Sequence, residues 1–250
     1  MSGHSKWHQI RHKKARSDKK RAKEWSMLAR NIIMAARGGG GDPKMNYKLA
    51  FAIEEAKAAN VPSTNVERAI KRGTGELEGA DPEELTYEGY APGGVALLVE
   101  CLTDNRARTA PAVKHAFEKN GGRVATPGSV TRLFERQGLI LVEKDKAPED
   151  KLFDIVVDAG AEDLDSSGEY YAIKMPAAAF EPVKKALKDK KIKTESAELV
   201  QVPHATVALN DEDGRKLLKI IEVLEDLEDV QNVFGNYEMP DSLMAELEKK

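Results

Sequence analysis

Cysteine is almost missing from this chain. Among 250 residues Cys101 stands alone, which excludes an intramolecular disulfide and any multi-cysteine metal site and fits a reducing cytoplasm. Long apolar runs are missing too, since stretches such as Val95–Val99 are far too short to cross a membrane. The N-terminus lacks the apolar stretch and small-residue cleavage site of a secretory signal and leads straight into lysine and arginine. The one thiol has no base beside it: Cys101 sits in an apolar segment with no histidine near it in sequence and reads as core. "GGGGDPK" at 38–44 lacks the Gly-Lys-[Ser/Thr] ending of a phosphate loop and follows a helix, whereas such a loop follows a strand. It reads as a helix stop and a turn. Acidic pairs fall on surface faces and in linkers. These absences predict a cytoplasmic protein that is not an enzyme, with no cofactor, no metal, no membrane span and no small-molecule substrate.

What is present is positive charge at one end. The chain as a whole carries a net charge of -3, but residues 1–75 hold 17 Lys/Arg against 6 Asp/Glu, and the rest hold 22 against 36. A chain polarised in this way offers one end to a polyanion. The competing reading, that the two ends neutralise each other, is weakened by the concentration of charge in one short segment. In "GHSKWHQIRHKKARSDKKRAKEW", Gly3 to Trp25, nine Lys/Arg and one acid lie between Lys6 and Lys23. His4, His8 and His12 have a spacing that brings them near one ion on a helix. Lys6, Arg11, Lys13 and Lys14 repel a cation there, and no carboxylate or cysteine helps. Histidines in such company hydrogen-bond phosphate or base.

Nucleic-acid contacts are therefore assigned to His4, Lys6, Trp7, Arg11, His12, Lys13, Lys14, Arg16, Lys19, Lys20 and Arg21. Like charges at this spacing disfavour an isolated helix, and a phosphate backbone removes that cost. Trp7 either stacks on a base or anchors the arm on the protein. Arg68, Lys71 and Arg72 extend the basic face, although their place at a helix C-terminus has a sufficient reason in the helix dipole.

Periodicity divides the chain. Ala22, Trp25, Leu28, Ala29, Ile32, Ile33 and Ala36 mark an amphipathic helix that Gly38–Gly41 ends. Asp42-Pro43 reads as the N-cap and first position of a second helix running to Val61-Pro62. Thr64 and Glu67 have capping-box spacing for a third, closed by Gly73. Residues before about Ser17 project as an arm, and "GELEGADPEE" is a linker. Beyond it "LTYEGY" and "VALLVEC" flank Pro92-Gly93-Gly94, where proline and glycine suit a type II turn. Tyr90, Pro92, Gly93 and Gly94 at that tip are assigned to partner contact. So are Asn105, Arg106 and Arg108 in "TDNRART" at 103–109, where a structural turn is the competing reading. A helix is expected over Thr109–Asn120, and short strands then alternate with helices of 10–17 residues, giving two α+β units whose boundary composition does not mark.

Seven motifs in order resemble the YebC family: "GHSKW" at 3–7, "GGGGDP" at 38–43, "ERAIKRG" at 67–73, "YEGYAPGGVAL" at 87–97, "TDNRART" at 103–109, "SVTRLFERQG" at 129–138 and "DVQNVFGNYEMP" at 229–240. Members of that family are usually labelled probable transcriptional regulators, and mitochondrial relatives activate translation. The resemblance implies an α+β fold: a three-helix bundle with a basic arm over 1–75, a ferredoxin-like α+β domain made of 76–129 and 205–250, and a second such domain inserted over 130–204. It also implies a non-enzymatic role, either at promoter DNA or on the ribosome, where relief of stalling on proline-rich sequence is included. His8 and the pair Thr131-Arg132 depart from the family pattern, so no contact is carried onto them. Sequence-specific DNA reading calls for a helix-turn-helix with an exposed recognition helix. The helical pattern offers no evident pair of that kind, and an arm that grips backbone suits ribosomal RNA. A ribosome-associated translation factor is the leading expectation, with a promoter-binding regulator as the alternative.

Overall fold

A computed structural model describes residues 18–248. Its first part is helical: α1 (Asp18–Gly39), α2 (Tyr47–Ala58) and α3 (Ser63–Gly73). Ile32, Ile33, Ala36, Leu49, Ala52, Ala56, Val66 and Ala69 form their shared core. The buried stripe of α1 starts later than the periodicity predicts, because Ala22 is exposed and Trp25 and Leu28 are only half-buried.

Two caps differ from the sequence reading. Asp42 caps a tight turn instead of α2, its Oδ1 accepting from the Lys44 N–H at 2.9 Å. Asn46 is the N-cap, accepting from the Leu49 N–H at 3.1 Å. In α3 no side chain caps the start. Pro62 stands at the N-cap, its carbonyl accepting from the Val66 N–H at 3.2 Å. Proline fixes the entry φ near the helical value, so the hydroxyl of Thr64 has no such task.

The rest of the chain is α+β, as its patterns predict. One antiparallel sheet has the order β3-β1-β2-β9, from β1 (Glu83–Tyr90), β2 (Ala96–Thr103), β3 (Arg123–Val124) and β9 (Val230–Gly235). Helices α4 (Arg106–Lys119) and α7 (Asp211–Glu225) cover one face of it, Val113, Phe117, Leu217 and Leu224 packing on Leu97, Val99 and Cys101. The second sheet runs β5-β6-β4-β7, from β4 (Phe134–Glu143), β5 (Asp163–Asp165), β6 (Tyr170–Pro176) and β7 (Ser196–Pro203). With α5 (Glu149–Asp158) and α6 (Phe180–Asp189) it forms a βαββαβ unit of ferredoxin-like order. All four of its strands fall between the residues of β3 and β9. The short β8 (Val207–Ala208) and β10 (Tyr237–Glu238) pair in parallel, and α8 (Asp241–Glu248) follows.

The sheets meet back to back. Ala96, Leu98 and Phe234 pack against Leu139, Leu141, Ala172 and Val200, leaving helices on both outer faces. This explains the unbroken apolar run of β2, which is buried on both sides and has no reason to alternate.

Candidate nucleic-acid interface

The basic arm residues His4, Lys6, Trp7, Arg11, His12, Lys13, Lys14 and Arg16 lie outside the described residues. Lys19, Lys20 and Arg21 fall within the first turns of α1. Arg68 and Lys71 are exposed on α3. Arg72 is engaged inside the molecule: its guanidinium donates to the Ala80 carbonyl of the linker and lies 3.6 Å from the Asp104 carboxylate. The three cations on α3 thus divide into two that face solvent and one that ties the bundle to the turn after β2.

The end of the bundle beyond Gly39 is closely built. Gly40 takes φ +85, the left-handed conformation that ends α1. Gly41 lies against the end of α3, where a Cβ would stand 2.8 Å from Thr74 Cγ2 and 3.3 Å from Ile70 Cγ2. The turn after α1 and the last turn of α3 therefore share one end of the bundle.

At the hairpin, Gly93 has φ 77 and ψ 3, the third-residue geometry of a type II turn, as proline followed by glycine predicts. Gly93 and Gly94 are exposed, Pro92 and Tyr90 half-buried. The tip is seated rather than free, because a Cβ on Gly93 would meet Leu209 Cδ2 at 2.6 Å and Asp213 Cβ at 3.4 Å. Tyr90 is covered by Arg123, whose guanidinium lies 5.5 Å from the ring centroid.

"TDNRART" starts a helix three residues before the sequence places it. Asn105 is the N-cap of α4 and accepts from the Arg108 N–H at 3.1 Å, while Thr103 Oγ1 accepts from the Asn105 N–H at 2.9 Å. Arg106 is exposed. Arg108 is also exposed, and its guanidinium reaches the buried Asp229, to which it donates at 2.7 and 3.1 Å.

Asp229 is the centre of a network the sequence does not announce. Its carboxylate is 4% exposed, accepts from the Thr109 hydroxyl at 2.7 Å, and lies 3.1 Å from the Arg30 guanidinium. Arg30, itself 8% exposed, also donates to the Leu102 carbonyl at 3.3 Å and to Glu228 at 3.1 Å. Burial disfavours the Asp229 charge, but Arg108, Thr109 and Arg30 together outweigh it and hold the pKa below the ordinary carboxylate range. Arg30 thereby fastens α1 to the first sheet. On the other side of the bundle, Lys184 Nζ lies 3.1 Å from the Phe51 ring centroid and Lys188 pairs with Glu54 at 3.0 Å, so α2 rests on α6.

Glu88 is a second buried carboxylate with a structural task. It accepts from the backbone N–H groups of Gly128 at 2.6 Å, Val130 and Thr131, and from the Thr131 hydroxyl at 2.7 Å. Burial opposes its charge, and these donors win, lowering its pKa. Cys101 is buried, and desolvation pushes its thiol up to about 12, which leaves no thiolate for chemistry. No helix among the described residues is long and apolar enough to cross a membrane.

Comparison with known proteins agrees along the chain. Residues 5–76 match the family model described as the TACO1/YebC protein N-terminal domain, and residues 82–237 match the TACO1/YebC second and third domain. A protein of Persephonella marina named "Probable transcriptional regulatory protein" is 51% identical, the match covering 99% of this chain and 100% of that one. One from Acidithiobacillus ferrooxidans with the same name is 48% identical over 99% of each. The crystal structure of a conserved hypothetical protein from Aquifex aeolicus superposes with a TM-score of 0.83 at 45% identity, covering 94% of this chain and 97% of that one. The chain belongs to the TACO1/YebC family.

Proposed function

We propose that this protein is a non-enzymatic regulator of gene expression that binds nucleic acid, with ribosomal RNA as its target and elongation through proline-rich sequence as its task. The carrying observation is the charge polarity: 17 Lys/Arg against 6 Asp/Glu in residues 1–75, opposed by an acidic remainder. In this reading the bundle and arm of 1–75 grip the phosphate backbone through His4, Lys6, Arg11, His12, Lys13, Lys14, Arg16, Lys19, Lys20, Arg21, Arg68 and Lys71. The α+β domains of 76–129 with 205–250 and of 130–204 present Tyr90, Pro92, Gly93, Gly94, Asn105 and Arg106 to the surrounding ribonucleoprotein in the cytoplasm.

A second reading has its own support. Relatives carry the name "Probable transcriptional regulatory protein". The four residues Ala59–Pro62 join α2 to α3, and Ser63, Thr64 and Asn65 are exposed at the start of α3, where a recognition helix carries its base-reading residues. The helical pattern of the sequence does not bring out this pair. Ribosome profiling with matched RNA sequencing of a deletion strain separates the two readings. Translation control gives ribosome pausing at proline runs with unchanged mRNA levels, whereas promoter control gives changed mRNA levels with no codon-specific pausing.

A further inference from the structure

Among the described residues, the two most exposed large apolar side chains sit two positions apart: Met45 at 84% and Tyr47 at 61%. Scattered exposed apolar residues need no explanation. This pair differs, because a rigid turn holds it out. Asn46, between the two, is 6% exposed. Its amide donates to the Ala35 carbonyl at 2.7 Å and the Gly40 carbonyl at 2.8 Å, while its Oδ1 caps α2. The Asp42 carbonyl accepts from the N–H groups of Met45 at 3.1 Å and Asn46 at 2.9 Å. With Asn46 fixed inward, its neighbours project to solvent.

Lysines flank the pair on both sides, with one exposed acid, Asp42, in the same turn. Lys44 and Lys48 are exposed beside it, and neither makes an ion pair among the described residues. Asp42, the acid of this turn, has Oδ1 committed to the Lys44 N–H. Through Gly41, the last turn of α3 abuts the same end of the bundle, and α3 carries the exposed Arg68 and Lys71. An aromatic face with lysines around it is the chemistry of single-stranded nucleic-acid binding, in which bases stack and phosphates meet cations. Protein interfaces are enriched in tyrosine and methionine too but depleted in lysine, so the flanking lysines decide for nucleic acid.

We infer that Met45 and Tyr47 form a stacking platform for an unpaired base of single-stranded RNA, with Lys44 and Lys48 taking the neighbouring phosphates. This rests on the RNA-directed reading above. The platform stands at the far end of α1 from Asp18, about 30 Å along a helix of 22 residues, and the residues assigned to the arm precede Asp18 in the chain. Removing the platform therefore leaves binding by the arm measurable.

The test is fluorescence anisotropy of the full chain with a labelled oligouridylate and with a labelled duplex RNA of equal length. Tyr47→Ala weakens the oligouridylate by about 5- to 100-fold and leaves the duplex unchanged. Tyr47→Phe, which keeps the stacking ring, stays within about twofold of wild type on both. Equal single-strand affinity of wild type and Tyr47→Ala overturns the platform and leaves the surface to a protein partner. Equal weakening of both RNAs by Tyr47→Ala also overturns it, as does a Tyr47→Phe loss as large as that of Tyr47→Ala. Failure of the wild-type chain to bind either RNA instead refutes the RNA-directed reading on which the platform stands.

Discussion

Asp229 gathers three donors from two helices, and this environment ties its charge to the fold. Arg30 comes from α1 and Arg108 and Thr109 from α4, so one carboxylate joins the bundle to the first sheet and its covering helix. Removing its charge leaves the buried Arg30 with only the exposed Glu228 as counter-charge. Asp229→Asn is expected to cost about 1.5–3 kcal/mol, read by urea unfolding, since the charge-assisted hydrogen bonds it accepts are weakened. The pH dependence follows from the direction of the shift. A carboxylate held below its unfolded pKa of about 3.9 contributes fully above that value. The contribution is lost as pH falls through the lower folded pKa. Wild type should therefore lose stability on acidification below about pH 4, and Asp229→Asn should lose less over the same range. An acid limb of equal steepness in both would show that other carboxylates carry it. None of this was legible in the sequence. Arg30 reads there as one more charge on a helix otherwise marked by its apolar stripe, and its partner lies far along the chain.

Elements were more legible than their ends. Apolar spacing located all three N-terminal helices, and Pro-Gly located the hairpin, because those signals depend on neighbours within one or two turns of chain. The caps failed for a related reason. Asp42 and Asn46 are both good cap residues, and the choice between them depends on the Ala35 and Gly40 carbonyls that receive the Asn46 amide. Likewise the capping-box spacing of Thr64 and Glu67 gave way to Pro62. Thermal unfolding checks the difference: Asn46→Ala should cost about 0.5–2 kcal/mol through the lost N-cap. Thr64→Ala should stay within about 0.5 kcal/mol of wild type. The exposure of Met45 and Tyr47 was equally hidden, since an apolar residue at a helix start reads as core until the turn before it is seen. The two-residue β3 and the three-residue β5 escaped because strands this short carry too few residues to show a period.

The whole molecule is a small basic bundle resting on two sheets packed back to back. Arg30 fastens the bundle to one side, and Phe51 and Glu54 meet Lys184 and Lys188 on the other. Contact with both α+β units fixes where the bundle directs its charge. The polarity of charge was plain in the sequence, and the assignment of the α+β class followed from the alternation of strands and helices. If the basic end holds a polyanion, the affinity of the full chain for ribosomal RNA falls steeply as salt rises. Replacing Lys13, Lys14, Lys19 and Lys20 together by alanine should weaken binding and flatten the slope of log K against log salt. The slope is expected to change by about 0.7 for each phosphate that the variant no longer neutralises on single-stranded RNA, with thermal stability nearly unchanged. Unchanged affinity and unchanged slope in that variant would show that the basic end does not hold the RNA.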